Sequence, residues 1–315
     1  MVSLRIVFLG TPAFAVPSLE VLLGSRHQVV AVVSQPDRPR GRGQHVQATP
    51  TKQIASAHGV PVLQPAKIKD ESFQQTLREL QPDLGVVVAF GRILPDSLLA
   101  IPRLGMINVH ASLLPRYRGA APIQRAVLSG DAETGVTIMR VASELDAGPT
   151  FSMAAAPIPP DATSGDMETV LARLGAEQLL PIVDALADAR ATETPQDHAA
   201  ATHAAKITKG EGAVDWGAAA PSIHDLARGL QPWPLASTTL DGARVVLRRT
   251  AAVGLDTHDA LPGTIVRAHG DELTVACGGG TALQILEIQP EGRRTQTARE
   301  FLAGRHSLEG ARLGT

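Results

Sequence analysis

Cysteine is almost absent from this sequence of 315 residues, and it contains no long apolar run. The single cysteine, Cys277, excludes a disulfide within the chain and leaves no CxxC pair for zinc or redox chemistry. No stretch reaches the roughly 18 apolar residues that a membrane span requires. The first apolar run, residues 4–9, is too short for a signal peptide. We therefore expect a soluble, cytoplasmic protein with no membrane association.

A strong excess of one charge is also missing. The formal net charge is −2, and the residues from 206 onward carry twelve cations and twelve anions. Bulk charge therefore does not indicate a nucleic-acid partner, and only a local cluster of cations could do so. With 44% hydrophobic residues the chain can form a packed core. Its length favours two domains.

Short apolar runs alternate with helical patterns in the first half of the chain. The runs are rich in Val and Ile, as is typical of buried parallel strands, and they occupy residues 4–9, 29–33, 84–89 and 106–109. Helical patterns fall near residues 17–23, 51–58, 71–80 and 95–100. This alternation predicts an α/β fold with a doubly wound, mostly parallel sheet that is Rossmann-like.

The character of the sequence changes near residue 190. A long helical pattern ends there, and the small polar residues after it indicate a linker. Five short strand-like runs then follow, which favour a small β-barrel: residues 234–240, 244–249, 263–268, 272–276 and 282–288. We predict a first domain over residues 1–190, a linker over 191–206 and a barrel domain over 207–315.

Candidate chemistry lies at the end of the run at residues 106–109. Asn108 and His110 are two residues apart, so in a strand their side chains share one face while Val109 points to the other. Pro115 cannot continue a strand ladder because it has no amide hydrogen. The pair is therefore predicted at the carboxyl end of a strand, where open α/β sheets bind ligands.

Asp146 is the candidate partner of this pair, in the turn formed by residues 145–149. A carboxylate hydrogen-bonded to an imidazole favours the protonated ring and fixes its orientation. Asn108, His110 and Asp146 would then supply a donor, an acid–base group and an orienting group. Asp146 can equally be a turn-forming residue before Gly148. The residues alone leave both interpretations open.

Metal and serine-nucleophile chemistry are less well supported. His and Asp are both metal ligands, but the sequence has no HExxH motif and no cysteine pair, so we predict no metal site. Ser112 lacks the GxSxG elbow of a nucleophilic serine.

A basic segment lies between residues 35 and 52. Only Asp37 opposes its four cations, which are Arg38, Arg40, Arg42 and Lys52. Gly41 and Gly43 flank Arg42 and would let its side chain reach a phosphate or a base. Such a segment can also be plain solvated surface.

These residues lie in motifs that resemble the methionyl-tRNA formyltransferase family over essentially the full chain. The most specific motif is NVHASLLPRYRGAAPIQ, at residues 108–124. The other shared segments are FLGTPAF at 8–14, QPDRPRGRG at 35–43, GRILP at 91–95, GVTIM at 135–139, LDAG at 145–148 and PWP at 232–234.

The resemblance implies a reaction and the residues that perform it. The formyl group of 10-formyltetrahydrofolate would pass to the α-amino group of methionine on charged initiator tRNA, without a covalent enzyme intermediate. Catalytic roles fall on Asn108, His110 and Asp146. Contacts to the folate co-substrate are expected from four consecutive residues: Ser112, Leu113, Leu114 and Pro115.

The resemblance also implies how the tRNA is held. An OB-like barrel in the second domain would help to bind it, in a protein expected to be a monomer. The basic segment would engage the acceptor arm through three arginines: Arg38, Arg40 and Arg42.

Two rival functions follow from the same residues. Another folate-dependent formyltransferase, acting on a nucleotide-linked amino sugar or on glycinamide ribotide, would use a similar Asn, His and Asp set, but a small substrate has no acceptor arm to meet the basic segment. A tRNA-binding protein without catalysis would be expected to have lost Asn108, His110 or Asp146, and all three are present.

Overall fold

A computed structural model of the chain describes residues 2–40 and 45–314, without the side chains of residues 39, 40, 45 and 46. The chain divides into two compact units. The first unit comprises the chain up to Pro122, Glu133–Pro157 and Glu168–Ala204. The second unit comprises Ile123–Ala132, Ile158–Met167 and the chain from Ala205 onward.

Helices are interspersed among the strands up to residue 204, as the apolar runs predict. The strands are β1 (Arg5–Gly10), β2 (Gln28–Val33), β3 (Arg38–Arg40), β4 (His45–Gln47), β5 (Val62–Leu63), β6 (Leu84–Val88), β7 (Met106–His110), β8 (Arg118–Gly119), β9 (Glu133–Arg140), β10 (Thr150–Pro157) and β11 (His203–Ala204). The helices are α1 (Val16–Leu23), α2 (Pro50–Ala57), α3 (Glu71–Glu79), α4 (Asp96–Leu99), α5 (Pro122–Leu128) and α6 (Ser164–Ala187), with short 3₁₀ turns at Ala13–Ala15 and His198–Ala200.

The central sheet of the first unit is mostly parallel. Among the described residues it has seven strands in the order β10-β9-β7-β6-β1-β2-β5. The neighbouring strands β7, β6, β1, β2 and β5 pair in parallel. In contrast, β9 pairs antiparallel with both β7 and β10. Ile6, Val7, Phe8 and Leu9 of β1 are all fully buried, because a strand in the middle of such a sheet is covered on both faces. The predicted doubly wound sheet is confirmed.

The second unit contains a small antiparallel β domain. From residue 205 onward the elements are α7 (Ala220–Gly229), β12 (Ser237–Leu240), β13 (Ala243–Val253), β14 (Ile265–His269), β15 (Glu272–Ala276), β16 (Ala282–Pro290), β17 (Gln296–Thr297) and α8 (Ala298–Leu302), with 3₁₀ turns at Lys209–Gly212 and Gly278–Gly280. The strands pair in the order β12-β13-β16-β15-β14, and β17 pairs with β16. Leu247, Val275 and Ile285 are fully buried in its core. The predicted second domain of short strands is confirmed, and its strands are antiparallel.

Local signals set where several helices begin. Thr49 caps α2 by accepting a hydrogen bond from the Lys52 amide, and Pro50 occupies the first turn, where its missing amide hydrogen costs nothing. Thr297 and Glu300 form a reciprocal capping box at the start of α8, which satisfies two amides that the helix leaves unpaired.

The predicted linker, residues 191–206, contains paired backbone. Thr194 forms an antiparallel bridge with Thr150, and β11 pairs with β8. The proposed division into residues 1–190, 191–206 and 207–315 stays a prediction. In the parts of the chain that the structure covers, we find no helix with the length and apolar character of a membrane span.

Gly135 is expected to be essential to the sheet. A β-carbon there would lie 2.3 Å from the carbonyl oxygen of Ala154 on β10 and 2.5 Å from Leu113. We expect Gly135→Ala to lower the free energy of unfolding by about 1–3 kcal/mol, because one of these neighbours must move. Denaturant unfolding measures this.

Gly24→Ala is the matched control for Gly135→Ala. The nearest atom to a β-carbon at Gly24 is 3.5 Å away, so the added methyl group fits and the stability should hold or rise slightly. Equal stability of the two variants would contradict the packing described.

Candidate active site

Strand β7 lies where the sheet changes from parallel to antiparallel pairing. It pairs in parallel with β6, through Val87 and Asn108, and antiparallel with β9, through His110 and Thr137. Val109 points to the opposite face, where a β-carbon on Gly175 of α6 would lie 2.6 Å from its Cγ1 atom. Asn108 and His110 therefore share the face away from α6, as the alternation along a strand predicts.

His110 is held by the loop that follows its own strand. The ring is buried, and Nε2 lies 3.0 Å from the carbonyl oxygen of Tyr117. A carbonyl can only accept a hydrogen bond, so Nε2 carries a hydrogen and donates it. The other ring nitrogen, Nδ1, lies 3.6 Å from Oδ2 of Asp146. This distance is too long for a hydrogen bond, but it is within the range of an ion pair when the ring is protonated.

The same carboxylate oxygen of Asp146 is anchored from the other side. Oδ2 accepts a hydrogen bond of 2.9 Å from the amide of Gly119, so the carboxylate lies between a backbone donor and the imidazole. The turn that carries it approaches β9 closely, because a β-carbon at Gly148 would lie 2.0 Å from the carbonyl oxygen of Arg140. Only glycine fits there. The structure thus brings Asp146 to His110 while also placing it in a turn.

The backbone around His110 is strained at two points. Tyr117 and Asp146 have φ angles of +60° and +50°, in the left-handed region that side chains other than glycine rarely adopt. Asp tolerates this region better than Tyr does. Strain of this kind costs of order 1–3 kcal/mol per residue and is characteristic of functional sites. Both residues direct a polar group at His110.

Asn108 is the polar side chain of this face that is still available. It is half-buried, and its amide makes no hydrogen bond to any residue that the structure describes. An amide at the carboxyl end of a strand, beside an anchored imidazole, can donate to an oxygen of a bound molecule.

The predicted folate segment is a tightly fixed loop. Ser112 is fully buried, and its hydroxyl donates to the carbonyl oxygen of Arg116 at 2.6 Å. Thr137 of β9 donates to the Ser112 carbonyl at 2.7 Å and accepts from the Leu114 amide at 3.1 Å. Leu114 is buried, whereas Leu113 and Pro115 are half-buried. A contact to folate from this loop is a prediction that none of these observations tests.

The basic segment lies apart from this cluster in chain order, and the structure describes only part of it. Arg38 is exposed at the start of β3, which pairs with β4. The backbone of Arg40 lies in β3, its side chain is outside the described part, and Arg42 lies wholly outside the described residues. The contact of all three arginines with tRNA stays a prediction.

Lys52 differs from the sequence interpretation, which counts it among the cations of the segment. Its ammonium donates to Asp37 and to Gln64, and Gln64 donates to the other Asp37 oxygen at 2.7 Å. The pKa of the Asp37 carboxyl lies below its ordinary value, mainly because of the hydrogen bond from Lys52 and next because of the one from Gln64. Lys52 therefore anchors the base of the segment.

Other reactive groups do not converge on this site. Burial raises the pKa of the Cys277 thiol to about 12, so it stays protonated at neutral pH and is a poor nucleophile. In residues 2–40 and 45–314, no group of three or more His, Cys, Asp and Glu side chains is arranged to hold a metal ion.

The second unit has an open groove of about 560 Å³. Two cations line it, Lys209 and Arg244, beside the apolar Pro234 and Leu235. The groove lies within the second unit and contains none of the residues around His110.

Sequence interpretation nominated the three side chains that the structure places near one another, but it missed the backbone groups that hold His110 and Asp146. These are the Tyr117 carbonyl and the Gly119 amide. The signal was present in the segment RYRGAA at residues 116–121, since Gly119 has a φ angle of +121° and marks a sharp change of direction after β7.

Family models match most of the chain. A model described as formyl transferase matches residues 4–183, and one described as formyl transferase, C-terminal domain, matches residues 206–306. A methionyl-tRNA formyltransferase of Methylococcus capsulatus is 50% identical over 313 residues, covering 99% of this chain and all of that protein. Another, from Roseiflexus castenholzii, is 47% identical over 315 residues, with 99% of each chain covered.

Solved structures share the fold at low sequence identity. An N-formyltransferase from Helicobacter canadensis, in complex with folinic acid and dTDP-3-aminofucose, has a TM-score of 0.69 at 15% identity and covers 91% of this chain and 99% of its own. HypX from Aquifex aeolicus, in complex with tetrahydrofolic acid, has a TM-score of 0.63 at 16% identity and covers 95% of this chain and 47% of its own.

Thr137 is expected to stabilise the loop after β7. Thr137→Val removes the hydroxyl group. The buried Leu114 amide and Ser112 carbonyl then lose their hydrogen bonds to it. We expect a loss of about 1–3 kcal/mol in the free energy of unfolding, measured by denaturant titration.

Thr134→Val is the matched control on the same strand. Thr134 is also buried on β9, and its hydroxyl has no hydrogen-bond partner among the described residues, so its removal should cost nothing. A loss at Thr134 as large as that at Thr137 would show that the two hydrogen bonds are unimportant.

Proposed function

The chain belongs to the methionyl-tRNA formyltransferase family, and we propose that it transfers the formyl group of 10-formyltetrahydrofolate to the α-amino group of methionine on initiator tRNA. The observation that carries this proposal is the juxtaposition of Asn108, His110 and Asp146 at the end of β7 in a chain that is 50% identical, over its full length, to a relative of that name.

The reaction transfers the formyl group, an acyl group, directly from folate to the amine. The amine nitrogen bonds to the formyl carbon, the bond from that carbon to N10 of the folate breaks, and one proton passes from the amine to N10. Negative charge develops on the formyl oxygen in between. The Asn108 amide, which has no hydrogen-bond partner among the described residues, is the donor that we assign to this oxygen, a role whose loss typically costs about 3 kcal/mol of barrier.

His110 is the group that we assign to proton movement. Its Nε2 hydrogen is held by the Tyr117 carbonyl, so Nδ1 is the nitrogen that gains and releases a proton. Asp146 lies 3.6 Å from that nitrogen and orients the ring. General acid–base catalysis of this kind contributes roughly two to four orders of magnitude.

Folate and tRNA would meet the first unit on different segments. We propose that folate contacts the loop Ser112, Leu113, Leu114 and Pro115, which directly follows the catalytic strand. Because Ser112 and Leu114 are buried, that contact would use the backbone and the half-buried side chains of Leu113 and Pro115.

The acceptor arm of the tRNA is the partner proposed for Arg38, Arg40 and Arg42. The groove of the second unit, with Lys209 and Arg244, offers two further cations to a phosphate backbone. We further propose that the protein works as a monomer in the cytoplasm, with domains at residues 1–190 and 207–315 joined by residues 191–206.

Transfer to a nucleotide-linked amino sugar is the second candidate function. The fold that this chain shares with the Helicobacter canadensis enzyme supports it, but that likeness extends to the fold alone. Incubation with formyl-folate and either charged initiator tRNA or dTDP-amino sugar separates the two. Formylmethionyl-tRNA as the product supports the proposed function, and a formylated sugar alone overturns it.

Substitutions of the catalytic pair should slow chemistry more than binding. We expect His110→Ala and Asp146→Ala to lower the single-turnover formylation rate by roughly 10²–10⁴-fold, because proton movement is lost, with little change in folate affinity. His58→Ala, an exposed histidine at the end of α2, is the control. Near-normal rates in both site variants would refute the assignment.

The arginines of the basic segment should act on tRNA use. We expect Arg38→Ala combined with Arg42→Ala to raise the KM for tRNA and to weaken its salt dependence, because fewer phosphate contacts release fewer counterions. Any slow hydrolysis of formyl-folate should be unchanged. Arg78→Ala, on α3, is the control, and equal loss of both activities would argue against a tRNA contact.

A further inference from the structure

The segment Thr194–Ala204, which we call the strap, is bound along its length to the loops of the candidate site. Thr194 exchanges two backbone hydrogen bonds of 2.8 Å with Thr150. At the other end β11 pairs with β8. Between them, the Thr202 hydroxyl accepts from the Tyr117 amide at 2.8 Å, and its carbonyl accepts from the Arg118 amide at 2.9 Å. The strap therefore supports the backbone that holds His110.

Gln196 is the side chain of the strap that contacts the turn around Asp146. It is buried, and its Nε2 group donates to the carbonyl oxygens of Asp146 at 2.9 Å and Gly148 at 2.7 Å. Its Oε1 atom accepts from Nε of Arg118 at 3.1 Å and from Nη2 at 2.7 Å. Both amide hydrogens and both lone pairs of the amide oxygen are thus engaged at once.

These contacts connect the turn that carries Asp146 to the backbone segment whose amide binds its carboxylate. The donors of Gln196 hold the turn that presents the carboxylate, and its acceptor holds Arg118. Arg118 directly precedes Gly119, whose amide donates to that carboxylate at 2.9 Å. One side chain therefore fixes both the carboxylate and the backbone that anchors it.

Only glutamine satisfies these partners. Glutamate has the same length but no donor for the two carbonyls, methionine has neither donor nor acceptor, and lysine has no acceptor for the guanidinium. Gln196 is nevertheless 86 residues along the chain from His110, in a stretch whose small polar composition indicates a linker.

We propose that Gln196 is a positioning residue for the His110–Asp146 pair. The proposal rests on the proposed function of that pair. Gln196 touches no reacting atom, and it acts by keeping Oδ2 of Asp146 in place against Nδ1 of His110. A misplacement of about 1 Å in a catalytic group can lower a rate by about 10²-fold.

Gln196→Glu is the most informative variant. It keeps the acceptor for Arg118 and so preserves that pairing, but it sets a carboxylate oxygen against the carbonyls of Asp146 and Gly148. We expect kcat to fall by about 10²-fold while the KM values for formyl-folate and tRNA stay unchanged. Gln196→Met, which lacks all four hydrogen bonds but fills the space, should lose a similar amount. Gln75→Met, on the exposed side of α3, should have normal activity.

A double-mutant cycle separates positioning from general loss of structure. If Gln196 acts through Asp146, then Gln196→Glu should lower the single-turnover rate by less than about twofold when Asp146→Asn is already present. Full additivity of the two losses, in variants whose thermal unfolding shows them folded, would overturn the proposal. So would normal kcat in Gln196→Glu.

The two proposals fail in different ways. Normal rates in Gln196→Glu and Gln196→Met, together with a slow Asp146→Asn variant, overturn the positioning role and leave the proposed function intact. Normal rates in Asp146→Asn and His110→Ala overturn the roles of the pair, and with them the positioning role of Gln196.

Discussion

One carboxylate oxygen, Oδ2 of Asp146, lies between the Gly119 amide and the imidazole of His110. The amide fixes the position of the carboxylate, and the carboxylate in turn faces Nδ1 of the ring. Because the Nε2 hydrogen is donated to the Tyr117 carbonyl, we assign the proposed proton transfer to Nδ1. The face of β7, the loop after it and the turn at residues 145–148 are all arranged around this contact.

Such an arrangement requires backbone that is neither helix nor strand. Tyr117 and Asp146 adopt left-handed φ angles, at a cost of order 1–3 kcal/mol each, and hydrogen bonds from β9 and from the strap offset that cost. Thr137 ties the loop at Ser112 and Leu114, and Gln196 ties the turn. The rigid sheet thus supports a strained rim, as in other α/β proteins that carry their ligands at the carboxyl ends of strands.

In the proposed function, chemistry and recognition of the large substrate fall on different parts of the chain. The polar side chains that we assign to the reaction lie in the first unit, while the exposed Arg38 and the groove with Lys209 and Arg244 carry positive charge. With a net charge of −2, the protein attracts a polyanion only at such local sites. Selectivity for charged tRNA over a small amine would then depend on these contacts rather than on the acid–base group.

The sequence by itself determined where most strands and helices lie along the chain, the face shared by Asn108 and His110 and the second domain of short strands, because these depend on local periodicity of two or of 3.6 residues. It also nominated Asp146, but it left open whether that residue served a turn or the imidazole, and the structure shows that it does both. The sequence counts Lys52 among the cations of the basic segment and places Gln196 in the proposed linker, and it indicates the hydrogen-bond partners of neither. Their partners lie up to 78 residues away along the chain. Only the tertiary structure could decide these pairings, because hydrogen bonds between distant segments depend on how the strands and loops pack and leave no periodic signal in the sequence.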